Sequence, residues 1–291
     1  MLQRSIGKCI TLLHLWQDSA HRYHTIPSTE LICGDLNQRA MLYLDKVSLK
    51  QKLNIDRLIM ELHETQQDTW KRLAGEAAAR LVENGMLIGL GTGSTARAFI
   101  QALGLRVQAG LKITGAVASS QASRDLASSF GIPCGDLDTY PNLDLYIDGA
   151  DEIDPSLQLI KGAGGALLHE KVVATVAHYF IVIGDITKQV PQLGHHAPVP
   201  VETIPFALTP VRRRLEILGA YVELRQKNGV PFITESHNFI LDCTFPAGIS
   251  DAPRLDAQLH GIVGVVETGL FLNMVRQALI VGPEGLHILP A

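Results

Sequence analysis

The stretch LYIDGADEIDPSLQLIKGAGGALLHEK, from Leu145 to Lys171, is the part of the sequence that best predicts the fold. A short apolar strand is followed directly by Asp148 and, three residues later, by Asp151. Lys161 and Glu170 lie further along the chain. Charged side chains are costly to bury and add nothing to an apolar core. At the carboxyl end of a parallel strand, however, they are well placed to converge on a polar substrate.

Short apolar strands alternate with helical patterns on both sides of this stretch. The predicted strands are Met86–Leu90, Lys112–Ala118, Leu143–Ile147 and Phe180–Ile183, and the predicted helices are Thr69–Glu83, Ala96–Leu103, Ala122–Phe130 and Gly165–His178. Alternating strands and helices indicate βαβ units. We therefore expect the α/β class, with a mostly parallel, Rossmann-like sheet that carries helices on both faces.

The pattern changes near Pro198. The segments that follow read strand, helix, strand, strand, helix, strand: Pro200–Pro205, Pro210–Leu218, Tyr221–Arg225, Phe239–Thr244, Arg254–His260 and Val263–Leu270. This order is the ferredoxin-like α+β arrangement. We predict an α/β catalytic domain formed by residues 63–197 and 273–291, with a smaller ferredoxin-like domain at residues 198–272. The last segment returns to the large sheet through Ala278–Val281.

Residues 1–62 are predicted to be an N-terminal extension that is poorly ordered or not native. Met1–Ile32 has few acidic residues, as targeting segments do, but it lacks an apolar core with a small-residue cleavage site. Met60 opens a natural first helix, so one hypothesis is that translation starts there. Mass spectrometry of the natively expressed protein tests it, because a peptide from residues 1–50 would refute a start at Met60.

The composition narrows the class of protein. Of 291 residues, 46% are hydrophobic and 19% are charged, which is typical of a globular chain with one or two domains. A net charge of −4 argues against nucleic acid or an anionic membrane as a partner. The four cysteines form no C-x-x-C pair, and no apolar run reaches the ~18 residues of a membrane helix. We expect a cytoplasmic protein that acts on a small molecule.

A glycine-rich loop, Gly89–Thr95, lies between the first strand and its helix. Glycine lets the backbone approach a ligand closely, and the N–H groups of a helix start favour anions. The hydroxyl groups of Thr92, Ser94 and Thr95 add donors, so the loop predicts a phosphate site. It matches neither the P-loop nor the dinucleotide fingerprint. A plain tight turn with a helix cap is the alternative.

The group Asp148, Asp151, Lys161 and Glu170 favours general acid–base chemistry, with a cation at hand for a developing oxyanion. The small-residue run Gly162–Gly165 opens a helix and offers further N–H donors to an oxygen anion. The two aspartates also suit Mg²⁺, although the lysine would repel a cation. A structural salt-bridge network is the other alternative. No metal is included in the prediction.

Lys188 follows the predicted strand Phe180–Ile183 and lies at the same sheet edge as these motifs. It is therefore a candidate for substrate binding. An ordinary surface lysine is the alternative interpretation.

Four motifs, in this order and spacing, resemble the type A ribose-5-phosphate isomerase family: GLGTGSTA (Gly89–Ala96), DGADEID (Asp148–Asp154), KGAGGALLHEK (Lys161–Lys171) and DITKQV (Asp185–Val190). The resemblance extends from about His63 to the C-terminus. It implies the two domains described above and interconversion of D-ribose 5-phosphate and D-ribulose 5-phosphate. It also implies that no metal or organic cofactor takes part, and that the chain forms a homodimer or a homotetramer.

The resemblance also implies residue roles. Glu170 matches the catalytic base, Asp148 the residue linked to opening of the furanose ring, and Asp151 and Lys161 the pair that assists ring opening and stabilises the intermediate. The implied substrate-binding residues are Thr92, Gly93, Ser94, Thr95, Lys188, Lys71, Gly162, Gly164 and Gly165. Two positions depart from the family pattern: His169 stands where Arg is common, and Ala163 where many members have Gly.

An aldose–ketose isomerisation moves one proton between neighbouring carbons through an enediolate. It needs one base with a pKa near neutrality and donors already in place for the oxygen charge. Four other functions stay open at this point: an amino-sugar phosphate deaminase, a lactonase, a coenzyme A transferase and a non-catalytic sugar-phosphate sensor. Ammonia release, a covalent glutamyl adduct or binding without turnover would distinguish the deaminase, the transferase and the sensor.

Overall fold

The structure is a computed structural model that describes residues 65–290. The predictions for residues 1–62, including a start at Met60, lie outside the described residues. The described helices are α1 (Gln66–Arg80), α2 (Ser94–Gln108), α3 (Gln121–Ser129), α4 (Leu167–Thr175), α5 (Leu208–Ile217) and α6 (Ala252–His260). Short 3₁₀ turns span Ile186–Lys188 and Pro205–Ala207.

A seven-stranded sheet forms the centre of the larger part of the fold. Its strands are β1 (Leu87–Leu90), β2 (Gly115–Ala118), β3 (Cys134–Gly135), β4 (Leu143–Asp148), β7 (Ala177–Asp185), β15 (Val275–Gly282) and β16 (Gly285–Pro290), in the order β16-β15-β7-β4-β1-β2-β3. Neighbouring strands run parallel except for the edge strand β16. The order reverses between β1 and β4, which is the switch point where α/β sheets bind ligands.

The two faces of this sheet are covered differently. Helices α1, α2 and α3 cover one face, where small residues such as Ala74 and Ala78 allow α1 to pack closely on Phe99 and Leu103 of α2. Helix α4 covers the other face. It is joined there by a three-stranded sheet of β14 (Leu270–Phe271), β6 (Leu159–Ile160) and β5 (Glu152–Ile153), in that order.

A second, four-stranded sheet carries α5 and α6. Its strands are β8 (Val199–Thr203), β9 (Tyr221–Leu224), β12 (Phe239–Thr244) and β13 (Val265–Thr268), in the antiparallel order β13-β8-β12-β9. The short hairpin β10 (Gln226–Lys227) and β11 (Val230–Pro231) follows β9. The α/β class with an additional ferredoxin-like unit is thus confirmed, whereas the predicted domain boundaries stay a prediction.

The prediction for residues 165–183 was wrong in its boundaries. The helix starts at Leu167 rather than Gly165 and ends at Thr175, and the next strand starts at Ala177 rather than Phe180. Gly165 has φ +82°, which a right-handed helix does not allow. Apolar periodicity cannot separate a helix from an adjoining buried strand.

In residues 65–290, no helix combines the length and the apolar character needed to cross a bilayer.

Candidate active site

Asp148 is the last residue of β4 and lies at the switch point of the sheet. Its side chain is fully buried, and both of its oxygens are satisfied. Oδ1 accepts N–H bonds from Thr92 (3.0 Å) and Gly149 (2.7 Å). Oδ2 accepts from the Tyr146 hydroxyl (2.5 Å) and from Lys161 Nζ (2.8 Å). Four donors from three chain segments therefore fix this carboxyl group in place.

Lys161 follows β6 and carries its ammonium into the same buried space. Nζ lies 2.8 Å from Asp148 Oδ2, 2.6 Å from the Gly149 carbonyl oxygen and 3.2 Å from Glu170 Oε2. Burial disfavours the charged ammonium, but the negative charges of Asp148 and Glu170 outweigh that effect, and the pKa of Lys161 is raised. The side chain is therefore a permanent cation between two carboxyl groups.

Glu170 lies on the first turn of α4 and is also buried. Its Oε2 faces Lys161 as an ion pair but has no hydrogen bond; in residues 65–290 only Glu202 has a buried side-chain oxygen in the same state. Burial raises the pKa of Glu170 to about 8, Lys161 opposes the rise, and Asp148 adds to it. Glu170 is thus a carboxyl group that takes up and releases a proton near neutral pH.

The glycine run brings Asp151 and the phosphate loop together. Gly162 (φ +109°) and Gly165 (φ +82°) form a turn closed by the Gly165 N–H and the Gly162 carbonyl at 3.0 Å. Between them, the Ala163 N–H donates to Asp151 Oδ2 at 2.9 Å. A Cβ on Gly164 would lie 3.7 Å from the Thr92 methyl group, so the turn lies beside the loop after β1.

The predicted phosphate loop turns sharply into α2. Gly93 has φ +107° and caps the helix, Ser94 is exposed at its first turn, and Thr95 is buried next to Gly149. Open backbone N–H groups and an exposed hydroxyl at a helix start form a suitable anion site.

Ser119 and Ser120 support this loop, although neither was predicted as a site residue. Their hydroxyl groups share hydrogen bonds with the Thr92 hydroxyl, both at 2.8 Å. The sequence feature that could have identified them is a pair of hydroxyl side chains directly after β2, at the carboxyl end of that strand.

An open cleft of about 480 Å³ adjoins these loops. Its lining residues are Asp151, Ala163, Thr187, Lys188, His196, Ala197, Pro198, Pro200 and Arg225. Lys188 is half-buried at the end of the 3₁₀ turn after β7, and it lines the cleft together with Asp151. The cleft thus joins a candidate phosphate-binding lysine to the loops that carry the buried carboxylates.

Lys71 is not joined to the other predicted site residues by any side-chain contact described within residues 65–290. Its ammonium lies 3.7 Å from Asp68 on the same helix. One turn earlier, Gln67 donates to Asp185 (3.3 Å) and Thr187 (3.4 Å), so α1 lies against the turn that carries Lys188. A substrate contact by Lys71 stays a prediction.

Glu152 was not selected from the sequence, although it belongs to the DGADEID motif. Its buried carboxylate accepts backbone N–H bonds from Gly194 (2.7 Å), His195 (3.3 Å), His196 and Ala197 (2.7 Å). Because His196 and Ala197 line the cleft, Glu152 fixes the backbone of one part of the cleft wall. These backbone partners lie more than 40 residues from Glu152 along the chain, and no sequence motif connects them to it.

In residues 65–290, no three His, Cys, Asp or Glu side chains are grouped so that they could hold a metal ion. Lys161 instead occupies the space between the carboxylates of Asp148 and Glu170. The arrangement is suited to moving a proton at Glu170 while Lys161 and backbone N–H groups stabilise negative oxygen.

Comparison with known proteins gives a consistent picture. The family model for ribose 5-phosphate isomerase A (phosphoriboisomerase A) matches residues 115–285. The chain is 49% identical to ribose-5-phosphate isomerase A of Bacillus mycoides, over 74% of this chain and 97% of the relative. It is 47% identical to that of a Roseiflexus species, over 75% and 94%.

A solved structure of D-ribose-5-phosphate isomerase in complex with phospho-erythronic acid superposes with a TM-score of 0.75. Its identity to this chain is 38%, and the match covers 78% of this chain and 100% of the solved one. Family model, sequence and three-dimensional structure agree, and the chain belongs to the ribose 5-phosphate isomerase A family.

Proposed function

We propose that this protein interconverts D-ribose 5-phosphate and D-ribulose 5-phosphate through an enediolate, with Glu170 as the proton-shuttling base. The single observation that carries the proposal is the buried Asp148–Lys161–Glu170 group, in which one carboxyl group has a pKa near neutrality and the other is fixed by four donors. The family to which the chain belongs supports the choice of substrate.

The phosphate group is held at the loop between β1 and α2, by the hydroxyl groups of Thr92, Ser94 and Thr95 and by the N–H groups at the helix start. Lys188 adds a positive charge from the cleft. Binding energy from this remote group fixes the sugar chain for reaction and thereby lowers the barrier at C1 and C2.

The furanose ring opens first. Asp148, assisted by Asp151 and Lys161, promotes transfer of the O1 proton and release of the ring oxygen as a hydroxyl, which gives the open-chain aldehyde. Glu170 then removes the proton from C2, and the electron pair moves to the aldehyde oxygen to form the enediolate. Lys161 stabilises that oxygen charge. Return of the proton from Glu170 to C1, with transfer of the O2 hydroxyl proton to O1, gives the ketose.

The first test supplies D-ribose 5-phosphate to the purified full chain in the presence of EDTA and follows ketose formation. In D₂O, an enediolate predicts incorporation of solvent deuterium at C1 of the product, because Glu170 exchanges its proton with solvent. A direct hydride shift would leave the product without deuterium. If the wild type binds the substrate but forms no ketose, the protein is a sensor and the proposed activity is wrong.

Glu170→Gln is the matching variant for the base. We expect turnover to fall by at least about 10²-fold with substrate binding nearly intact, since the amide cannot accept the C2 proton. Glu216→Gln, which removes an exposed carboxylate from α5, serves as the control and keeps full activity. Turnover in Glu170→Gln close to that of the control would remove Glu170 from the role of base.

Two further predictions accompany this function. We expect a homodimer or a homotetramer, which light scattering of the purified chain measures directly. We also expect a cytoplasmic location, which fractionation of cells that express the natural gene tests.

A further inference from the structure

Arg225 reaches from the four-stranded sheet into the cleft and binds the backbone of the glycine run. It lies between β9 and β10, and its Nη1 donates to the carbonyl oxygens of Gly162 (2.6 Å) and Ala163 (3.2 Å). The other side of the guanidinium forms a two-point contact with Asp242, through Nε to Oδ2 at 2.9 Å and through Nη2 to Oδ1. Both side chains are largely buried, at 13% and 20% exposure.

The hydrogen bond from Arg225 to the Gly162 carbonyl oxygen also sets the direction of the N–H group on the other side of the same peptide. In a trans peptide the carbonyl oxygen and the following N–H point in opposite directions. When Arg225 holds the Gly162 oxygen, the Ala163 N–H is directed away from it, and that N–H donates to Asp151 at 2.9 Å. Glycine at position 162 rotates easily, so an external partner is needed to fix this peptide plane.

The geometry points to Arg225, held by Asp242, as a positioning residue that fixes the Gly162–Ala163 peptide and, through it, orients Asp151 beside Lys161. This inference rests on the proposed function and deepens it. A planar guanidinium can bind one carboxylate at two points and two carbonyl oxygens at the same time. The compact ammonium of a lysine cannot reproduce that geometry.

The test compares Arg225→Ala, Arg225→Lys and Asp242→Asn with the wild type in the isomerase assay. We expect kcat of Arg225→Ala to fall by about 10- to 100-fold, because a small misplacement of a catalytic group has that effect on rate. Arg225→Lys should remain impaired, and Asp242→Asn should show a smaller loss of kcat. Arg213→Ala, which removes an exposed arginine from α5 of the same sheet, is the control and should keep full activity.

Chemical rescue separates positioning from a merely structural role. Low millimolar guanidinium should raise kcat of Arg225→Ala, because the free ion can occupy the vacated space between Asp242 and the two carbonyl oxygens. It should leave Arg213→Ala and Glu170→Gln unchanged. Hydrogen exchange at the Ala163 amide gives a readout that does not depend on activity, and we expect faster exchange in Arg225→Lys than in the wild type.

The inference is overturned if Arg225→Ala keeps wild-type kcat, or if its loss of kcat comes without guanidinium rescue and follows the loss of folded protein alone. Unchanged exchange at Ala163 in Arg225→Lys overturns it as well. If the wild type itself forms no ketose, the proposed function fails, whereas the exchange measurement still decides whether Arg225 fixes the peptide.

Discussion

Two carboxyl groups share one ammonium in this site, and their surroundings make them chemically different. Asp148 is fixed by four donors, whereas Glu170 keeps an oxygen without a hydrogen bond. A buried carboxyl group whose pKa is raised toward neutrality is a candidate for proton transfer. Asp148 is therefore held in one position, whereas Glu170 is suited to proton transfer.

A pH profile of the reaction tests the role of Glu170 at the level of the single residue. Glu170 must be deprotonated to act as base, and its pKa in the free protein is raised to about 8. We expect kcat/KM to rise with pH and to level off above that pKa, since this ratio reports groups of the free enzyme. A profile that is already flat from pH 5 upward would contradict a raised pKa at Glu170.

The same pKa makes a prediction for stability. Between the ordinary glutamate pKa of 4.5 and about 8, folded Glu170 holds a proton that the unfolded chain has released. The folded state then binds more protons, so this group's contribution to stability declines as pH rises through that window, by at most about 1.4 kcal/mol per pH unit. Urea unfolding from pH 5 to 8 should show a shallower decline for Glu170→Gln. Equal slopes would refute the prediction.

At the scale of elements, the turn before α4 depends on a glycine conformation and on contact with another loop. Gly165 has φ +82°, and a Cβ there would lie 2.4 Å from the Phe232 ring. Gly85 has a nearly equal φ of +84° with no atom within 4 Å of a Cβ, which makes Gly85→Ala a matched control for backbone strain.

We expect Gly85→Ala to lower the free energy of unfolding by about 1–3 kcal/mol, the typical cost of a left-handed non-glycine residue. Gly165→Ala should lose more, because the Phe232 ring must also move, and it should lose kcat as the turn shifts. Urea denaturation and turnover measure the two effects. Equal stability losses and unchanged kcat in Gly165→Ala would show that the Phe232 contact does not hold the turn.

The elements also show how far sequence reasoning reaches. Asp148 was predictable as a candidate site residue because it follows an apolar strand, and the carboxyl ends of parallel strands share one edge of the sheet. Lys161 and Glu170 were candidates because they flank a glycine run that leads into a helix. Arg225 and Glu152 were not predicted, since their partners come from distant segments without a local pattern. The two-residue strands β5, β6 and β14 were missed for a related reason, because they are too short to show alternation.

At the scale of the whole molecule, Gly269, the residue that follows β13, links the four-stranded sheet to the segment that carries Lys161. The Gly269 N–H donates to the Pro200 carbonyl at 2.7 Å, and the Gly269 carbonyl accepts the Lys161 N–H at 2.9 Å. A Cβ on Gly269 would lie 2.4 Å from the Lys161 carbonyl oxygen, so this approach requires glycine. The backbone at Lys161 is thus hydrogen-bonded directly to the segment between β13 and β14.

This connection predicts that the part of the chain from residue 65 onward unfolds in one cooperative transition. Because β14 continues from the four-stranded sheet and pairs with β6, and the three-stranded sheet that they form packs on the large sheet, the four-stranded sheet cannot separate from the rest of the fold without breaking these contacts. In a Trp16→Phe variant, Trp70 is the single tryptophan, and it reports α1 on the large sheet. Its fluorescence and the far-UV circular dichroism should give coincident urea curves. The comparison is made at one protein concentration, since an oligomer's stability depends on it. Separate midpoints would mean that the sheets unfold independently and that the link through Gly269 does not couple them.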